Sequence, residues 1–134
     1  MNALDTNILV YAHDARDLRK QTIALQLIKT ARPLALPWQV GCEFLAASRK
    51  LAAMTRDDAW NALDDFRQVV QAILIPEIGL WSQCRNLEQK HGLSFWDALL
   101  VGACLNGGVQ TLYSEDLGVP GRSIPGLVLI NPFA

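Results

Sequence analysis

Cysteine is scarce in this chain and histidine scarcer. The three cysteines, Cys42, Cys84 and Cys104, are odd in number and far apart. Such spacing fits neither a disulfide framework nor a Cys-x-x-Cys metal site. All three sit among apolar helical residues, so reduced core thiols and a cytoplasmic setting are expected. His13 and His91 stand alone, without a second histidine or a cysteine at ligand spacing, which argues against zinc. No apolar run approaches the roughly 18–20 residues of a membrane span. Nor does a basic stretch with an apolar run and small-residue cleavage site open the chain, so no secretory signal is expected. The net charge of −1 argues against a basic nucleic-acid coat. Charged residues make up only 19% and apolar ones 51%, which disfavours disorder and a coiled coil. Low-complexity tracts, repeats and linkers are absent too. What remains is one domain over residues 1–134, with the Gly/Pro-rich stretch 118–126 as an exposed loop.

What is present is an alternation of strands and helices. Asn2-Ala3-Leu4 starts a short strand, and Thr6 is the expected N-cap of a helical run Asn7 to His13. A second helix is expected over Arg16 to Ala31, with Ile23, Leu27 and Ile28 on one face. Leu34-Ala35-Leu36 is a strand ending at Pro37, followed by a helix from Trp38 to about Ala52. Thr55, with Asp58 as its capping-box partner, opens a helix to about Val69. Ala72 to Ile75 is a strand stopped by Pro76, and Ile78 to His91 a helix ending at Gly92. Ser94 caps Phe95 to Leu105. Strands Val109 to Tyr113 and Leu127 to Ile130 complete the chain. This order predicts a parallel sheet covered on both faces.

Against that pattern four acids stand out. Asp5 ends the apolar opening, Glu43 interrupts a helix with an apolar inner face, Asp97 lies within Phe-Trp-Asp-Ala-Leu-Leu, and Asp116 closes the turn after Tyr113. Each has an ordinary structural reading. Asp5 and Asp116 suit turns, Asp97 nearly completes a capping box with Ser94, and Glu43 could pair with Arg49 or Lys50. Ligands of open α/β folds, however, bind outside the carboxyl ends of the strands, where Asp5 and Asp116 fall and helix starts such as that near Asp97 also face. Gathered carboxylates repel and need a cation. Oxygen ligands without His or Cys select Mg²⁺ or Mn²⁺, with Ca²⁺ the further hard cation of this class, and Mg²⁺ and Mn²⁺ serve nuclease and phosphoryl-transfer sites. With the four acids set aside, nine acidic residues face twelve basic ones, a net of +3 suited to a phosphate backbone.

At these residues the sequence resembles the PIN-domain ribonucleases, most closely the VapC-type toxins of bacterial toxin–antitoxin modules. The matching pieces are Asp5-Thr6-Asn7, Glu43-Phe44 followed by Arg49-Lys50, Phe95-Trp96-Asp97-Ala98 and Tyr113-Ser114-Glu115-Asp116-Leu117. A fifth is the tail Ile124-Pro125-Gly126-Leu127 running into Asn131-Pro132-Phe133. The resemblance implies an α/β three-layer αβα sandwich with a mostly parallel four- to five-stranded sheet. It implies Mg²⁺- or Mn²⁺-dependent endonucleolytic cleavage of single-stranded or loop RNA, homodimerisation and a cognate antitoxin. Asp5, Glu43, Asp97 and Asp116 take the family's acidic quartet as catalytic and metal-binding residues, with Asp5 and Asp97 the expected direct ligands. Thr6, Asn7 and Ser114 take supporting positions that orient carboxylates or water. A Gly41-Cys42 pair before Glu43 departs from the pattern and either weakens the helix or permits close packing there.

Arg16, Arg19, Lys20, Arg49, Lys50 and Arg122, with Arg56, are the expected RNA-backbone contacts, and their plainer reading is solvated helix faces. The four tryptophans, Trp38, Trp60, Trp81 and Trp96, read as core or dimer contacts before base-stacking platforms. The helix from Arg56 to Val69 is a dimer or antitoxin surface on the same footing. Two other functions stay open: a non-catalytic module on the same fold, and a Mg²⁺-dependent phosphoryl-transfer domain. The latter fits poorly, because Asp5-Thr6-Asn7 lacks a second acid and no lysine follows Lys90.

Overall fold

The computed structural model describes all 134 residues. The strands are β1 (Asn2–Leu4), β2 (Leu34–Pro37), β3 (Ala72–Leu74), β4 (Thr111–Tyr113) and β5 (Val128–Ile130). The helices are α1 (Thr6–Ala12), α2 (Leu18–Thr30), α3 (Trp38–Ala47), α4 (Arg56–Val69), α5 (Leu80–His91) and α6 (Phe95–Asn106). All strands run parallel in one sheet ordered β3-β2-β1-β4-β5. The chain therefore walks from β1 outward to β3, then returns to lay β4 on the other side of β1. Right-handed crossovers in opposite directions place their helices on opposite faces. Accordingly α1 packs on α2 and α3, and α3 on α4, while α5 pairs with α6. This is the expected three-layer α/β sandwich, with Leu4, Leu34, Leu36, Leu112, Val101 and Leu117 buried in its middle.

Several helix ends differ from expectation. The N-cap of α1 is Asp5, not Thr6: Asp5 is extended (φ −70°, ψ 163°) and its carboxylate accepts from the Thr6 amide. Because β1 stops at Leu4, the chain must turn at once, and the charged acceptor one residue earlier takes the cap. Helix α2 begins at Leu18 instead of Arg16, where Asp17 accepts from the Lys20 amide at 3.0 Å. Helix α3 ends at Ala47 and tightens into a 3₁₀ turn over Ser48–Lys50, short of Ala52. There the Ser48 hydroxyl donates back to the Leu45 carbonyl at 2.9 Å, competing with the next helical bond. The Thr55–Asp58 capping box is present in both directions, and Gly92 closes α5 at φ 64°. A Cβ on Gly41 would lie 3.6 Å from Leu63, an ordinary contact, so close packing does not demand glycine there.

Cys84 and Cys104 are buried as expected, but Cys42 is exposed, on the outward side of α3. The four tryptophans are also exposed and not core residues. No helix is long and apolar enough to cross a membrane.

The turn after β4 is wedged against the end of β5. A Cβ on Gly118 would come within 2.6 Å of the Ile130 carbonyl carbon and 2.7 Å of the Ser114 oxygen, and closer still to the Asn131 nitrogen. All three are backbone atoms that cannot step aside alone. Gly118→Ala is therefore expected to lower unfolding free energy by about 2 kcal/mol, measured by urea denaturation. An unchanged midpoint would show that the turn is free to move.

Candidate active site

The sheet order creates a switch point between β1 and β4, whose chains leave in opposite directions. Their ends are in register, Leu4 opposite Tyr113 and Tyr113 opposite Ile130. The next residues, Asp5 and Ser114, thus emerge side by side at the carboxyl edge, where such folds bind ligands. The Asp5 amide donates to the Tyr113 carbonyl at 2.9 Å, and the Ser114 hydroxyl donates to Asp5 Oδ2 at 2.7 Å. Ser114 Oγ also accepts from the Leu117 amide at 3.0 Å, which holds the turn carrying Asp116.

Asp5 is only 8% exposed. Burial pushes its carboxyl from an ordinary 3.8 up to about 6. The bonds from Ser114 and Thr6 act downward, and the charges of Glu43 and Asp97 act upward. Beneath it, burial pushes the Cys104 thiol up to about 12, with Asp5 adding to the effect. A buried carboxyl crowded by two others is costly unless a proton or a cation joins it.

The other acids arrive on separate elements. Glu43 is half-buried on α3, and neither Arg49 nor Lys50 pairs with it. Its Oε2 accepts from the Thr6 hydroxyl at 3.1 Å, and its Oε1 from the Gln39 amide. Gln39 also donates to the Trp96 carbonyl at 3.0 Å. Asp97 lies in the first turn of α6, where its amide donates to the Ser94 hydroxyl at 3.2 Å. No capping bond is made by its own carboxylate, which is left for other work. Asp116 is exposed and joins the group through Asn7, whose Nδ2 reaches Asp116 Oδ2 at 3.5 Å while its Oδ1 accepts from the Glu115 amide. Asp5 therefore feels both Glu43 and Asp97, and Asp116 sits at the rim.

No three His, Cys, Asp or Glu side chains close a metal cage by themselves. The donor set still suits one class of ion. Mg²⁺ and Mn²⁺ take oxygen ligands, keep several waters and complete their shell with substrate phosphate. Oxygen donors around the buried Asp5 carboxyl fit that mode and not a closed tetrahedral site.

Three of the expected RNA contacts already have partners. Arg16 forks onto Asp14 through Nε and a terminal nitrogen, both at 2.9 Å. Arg19 donates to the Phe133 carbonyl at 2.9 Å. Lys20 binds Glu115 at 2.6 Å and the Tyr11 hydroxyl at 3.1 Å. Although burial acts the other way, Lys20 and Tyr11 hold the Glu115 carboxyl below its ordinary value. Arg49 and Lys50 are exposed, and Arg122 lines a shallow cleft with Lys90 and His91.

A match to the family described as PIN domain spans residues 3–119. The chain belongs to the PIN domain family. Solved structures agree with this PIN fold over nearly the whole chain. VapC20 of Mycobacterium tuberculosis, described as a sarcin–ricin loop cleaving toxin, is 19% identical with a TM-score of 0.69, covering 92% of this chain and 97% of that one. VapBC2 of Rickettsia felis, bound to a DNA fragment from its promoter, is 22% identical with a TM-score of 0.64 and 96% coverage of both. VapBC-1 of nontypeable Haemophilus influenzae is 17% identical with a TM-score of 0.66, covering 99% and 98%. No curated protein sequence matches the chain significantly.

Sequence reasoning did not single out Gln39, Tyr11 or Glu115 in this PIN domain. Gln39 is four residues before Glu43, one helical turn away, and that spacing was the available signal. The Lys20–Glu115–Tyr11 cluster joins residues 95 apart in the chain, a contact only the fold reveals.

Proposed function

We propose that this PIN domain is a Mg²⁺- or Mn²⁺-dependent endoribonuclease acting on single-stranded or loop RNA, and the toxin of a toxin–antitoxin pair. One observation carries the reading: Asp5 is buried at the β1–β4 switch point, held there by Thr6 and Ser114, with Glu43 tied to the same edge through the Thr6 hydroxyl. Asp5 and Asp97 would hold the metal directly, with Glu43 and Asp116 acting through water or at a second ion. A bound divalent cation there would lower the pKa of an attacking water and stabilise charge on the phosphate. Thr6 and Ser114 hold Glu43 and Asp5 in place by hydrogen bonds, and Asn7 ties Asp116 to the same edge.

Arg49, Lys50 and Arg122 make no ion pair within the chain and are free to meet a phosphate backbone. Arg16 remains largely exposed and able to exchange Asp14 for RNA, whereas Arg19 and Lys20 contribute mainly by bracing the site turn and chain end. A cytoplasmic setting matches the unpaired thiols. The toxin reading is supported by neighbours that are toxin–antitoxin assemblies. Large exposed apolar residues also mark partner surfaces. A cleft of about 370 Å³ between α3 and α4, walled by Trp38, Leu45, Trp60, Leu63 and Ile73, suits an apolar antitoxin segment. Homodimerisation completes the proposal.

The test is incubation of purified protein with structured RNA in Mn²⁺, Mg²⁺ or EDTA, with the cut ends mapped. Cleavage in loops is expected with either metal and none in EDTA. Undiminished cutting in EDTA rejects the metal-dependent reading, and absence of any Mn²⁺ binding favours a non-catalytic module.

A further inference from the structure

We propose that Gln39 is a positioning residue that sets the separation of Glu43 and Asp97, an inference that rests on the metal-dependent reading above. Its Nε2 donates both to Glu43 Oε1 and to the Trp96 carbonyl. That carbonyl belongs to the rigid, planar peptide joining Trp96 to Asp97. One amide thus links the carboxylate on α3 to the peptide that carries the carboxylate on α6. The other Glu43 oxygen is held by Thr6, whose amide donates to Asp5 Oδ1 at 2.7 Å. Three acids from three elements are in this way connected through two residues, Gln39 by its side-chain amide and Thr6 by its hydroxyl and backbone amide.

The orientation of the amide follows from its partners. Both are acceptors, so only the nitrogen can face them, and turning the group over would set oxygen against oxygen. The oxygen left behind, Gln39 Oε1, is buried with no hydrogen-bond partner. A buried acceptor without a partner costs stability. A residue chosen for folding alone at this position would be apolar, since Leu74, Leu80, Leu99 and Ala103 line the same cleft. Glutamine stands here at a stability cost, and what it provides in return is control of Glu43.

The test compares the full-length protein with Gln39→Met, which keeps chain length while removing both donated bonds and the unpaired oxygen. Mn²⁺ affinity is read by calorimetry, with melting temperature measured in EDTA. Gln39→Met is expected to weaken Mn²⁺ binding about tenfold, with a metal-free melting temperature equal to or above that of the unaltered protein. In a Glu43→Gln background the same substitution is expected to cause no further loss. Should Gln39→Met fail to fold by circular dichroism, Gln39→Ala removes the same bonds and carries the same expectation. Unchanged affinity, or an equal loss in both backgrounds, overturns this inference alone. If the unaltered protein binds no Mn²⁺, the functional reading falls and this inference falls with it.

Discussion

Asp97→Asn is expected to reduce RNA cleavage by about a thousandfold, equivalent to ~4 kcal/mol of barrier. Unfolding free energy should meanwhile stay within about 0.5 kcal/mol of the starting protein. The separation of the two effects comes from how the residue is held. Its amide nitrogen, not its carboxylate, makes the bond to Ser94, so α6 keeps its cap whatever the side chain becomes. Asparagine has the same shape but neither the charge nor the two equivalent oxygens that a hard cation requires. Asp5→Asn should be equally inactive, yet it is a less clean test of fold. Its carboxylate accepts from both Thr6 and Ser114, and a side-chain NH₂ facing Ser114 would force that hydroxyl to turn while it still accepts from Leu117. The measurement is single-turnover cleavage of a labelled RNA hairpin beside urea denaturation of each variant. Retention of full activity by Asp97→Asn would remove this residue from the site.

The second large effect is on stability against pH. Asp5 has a folded pKa of about 6 against an ordinary 3.8, the direction set first by burial. A raised folded pKa means that the folded state holds its proton more tightly than the unfolded chain does. The contribution is complete below about pH 4 and is lost as pH rises through 6, amounting to about 3 kcal/mol. His13 opposes it, because burial lowers its pKa from 6.5 and so favours the fold as pH rises. The Asp5 contribution is therefore isolated by subtraction. In EDTA, the stability of the starting protein relative to Asp5→Asn should fall by about 2.4 kcal/mol between pH 4 and pH 7, most of the full effect. Mn²⁺ must displace the same proton, so its stabilising effect should be larger at pH 7 than at pH 5. A pH-independent difference between the two proteins would mean that Asp5 is ionised throughout.

The fold was legible where the determinants are local. The capping box at Thr55 and Asp58 and the left-handed Gly92 each fall within one helical turn, and the alternation of elements dictated the parallel sheet. Asp5 and Asp116 could be placed at one edge because each follows a strand of a parallel sheet, whose carboxyl ends share an edge. The end of α3 could not be placed, since Ser48 is a tolerable helix residue until its hydroxyl bonds back to Leu45. The core reading of the tryptophans failed because their size argues for burial, whereas all four stand on outward helical positions or helix starts, where a dimer contact is still open to them. The partners of Lys20 and Glu43 were hidden for a different reason. Glu115 reaches Lys20 and Thr6 reaches Glu43 from other elements, and no periodicity encodes either choice, whereas Gln39 stands one helical turn from Glu43.

The sheet order also bears on when the site comes into being during synthesis. By the time α6 has been translated, Asp5, Glu43 and Asp97 have all been made, but β4 has not been laid beside β1. Asp5 then has no Ser114 hydroxyl to hold it, and Asn7 has no Asp116 to anchor. Because these partners lie 109 residues apart, a chain still emerging from the ribosome carries acids without a site. Assembly waits for the strand that follows the last of the six helices.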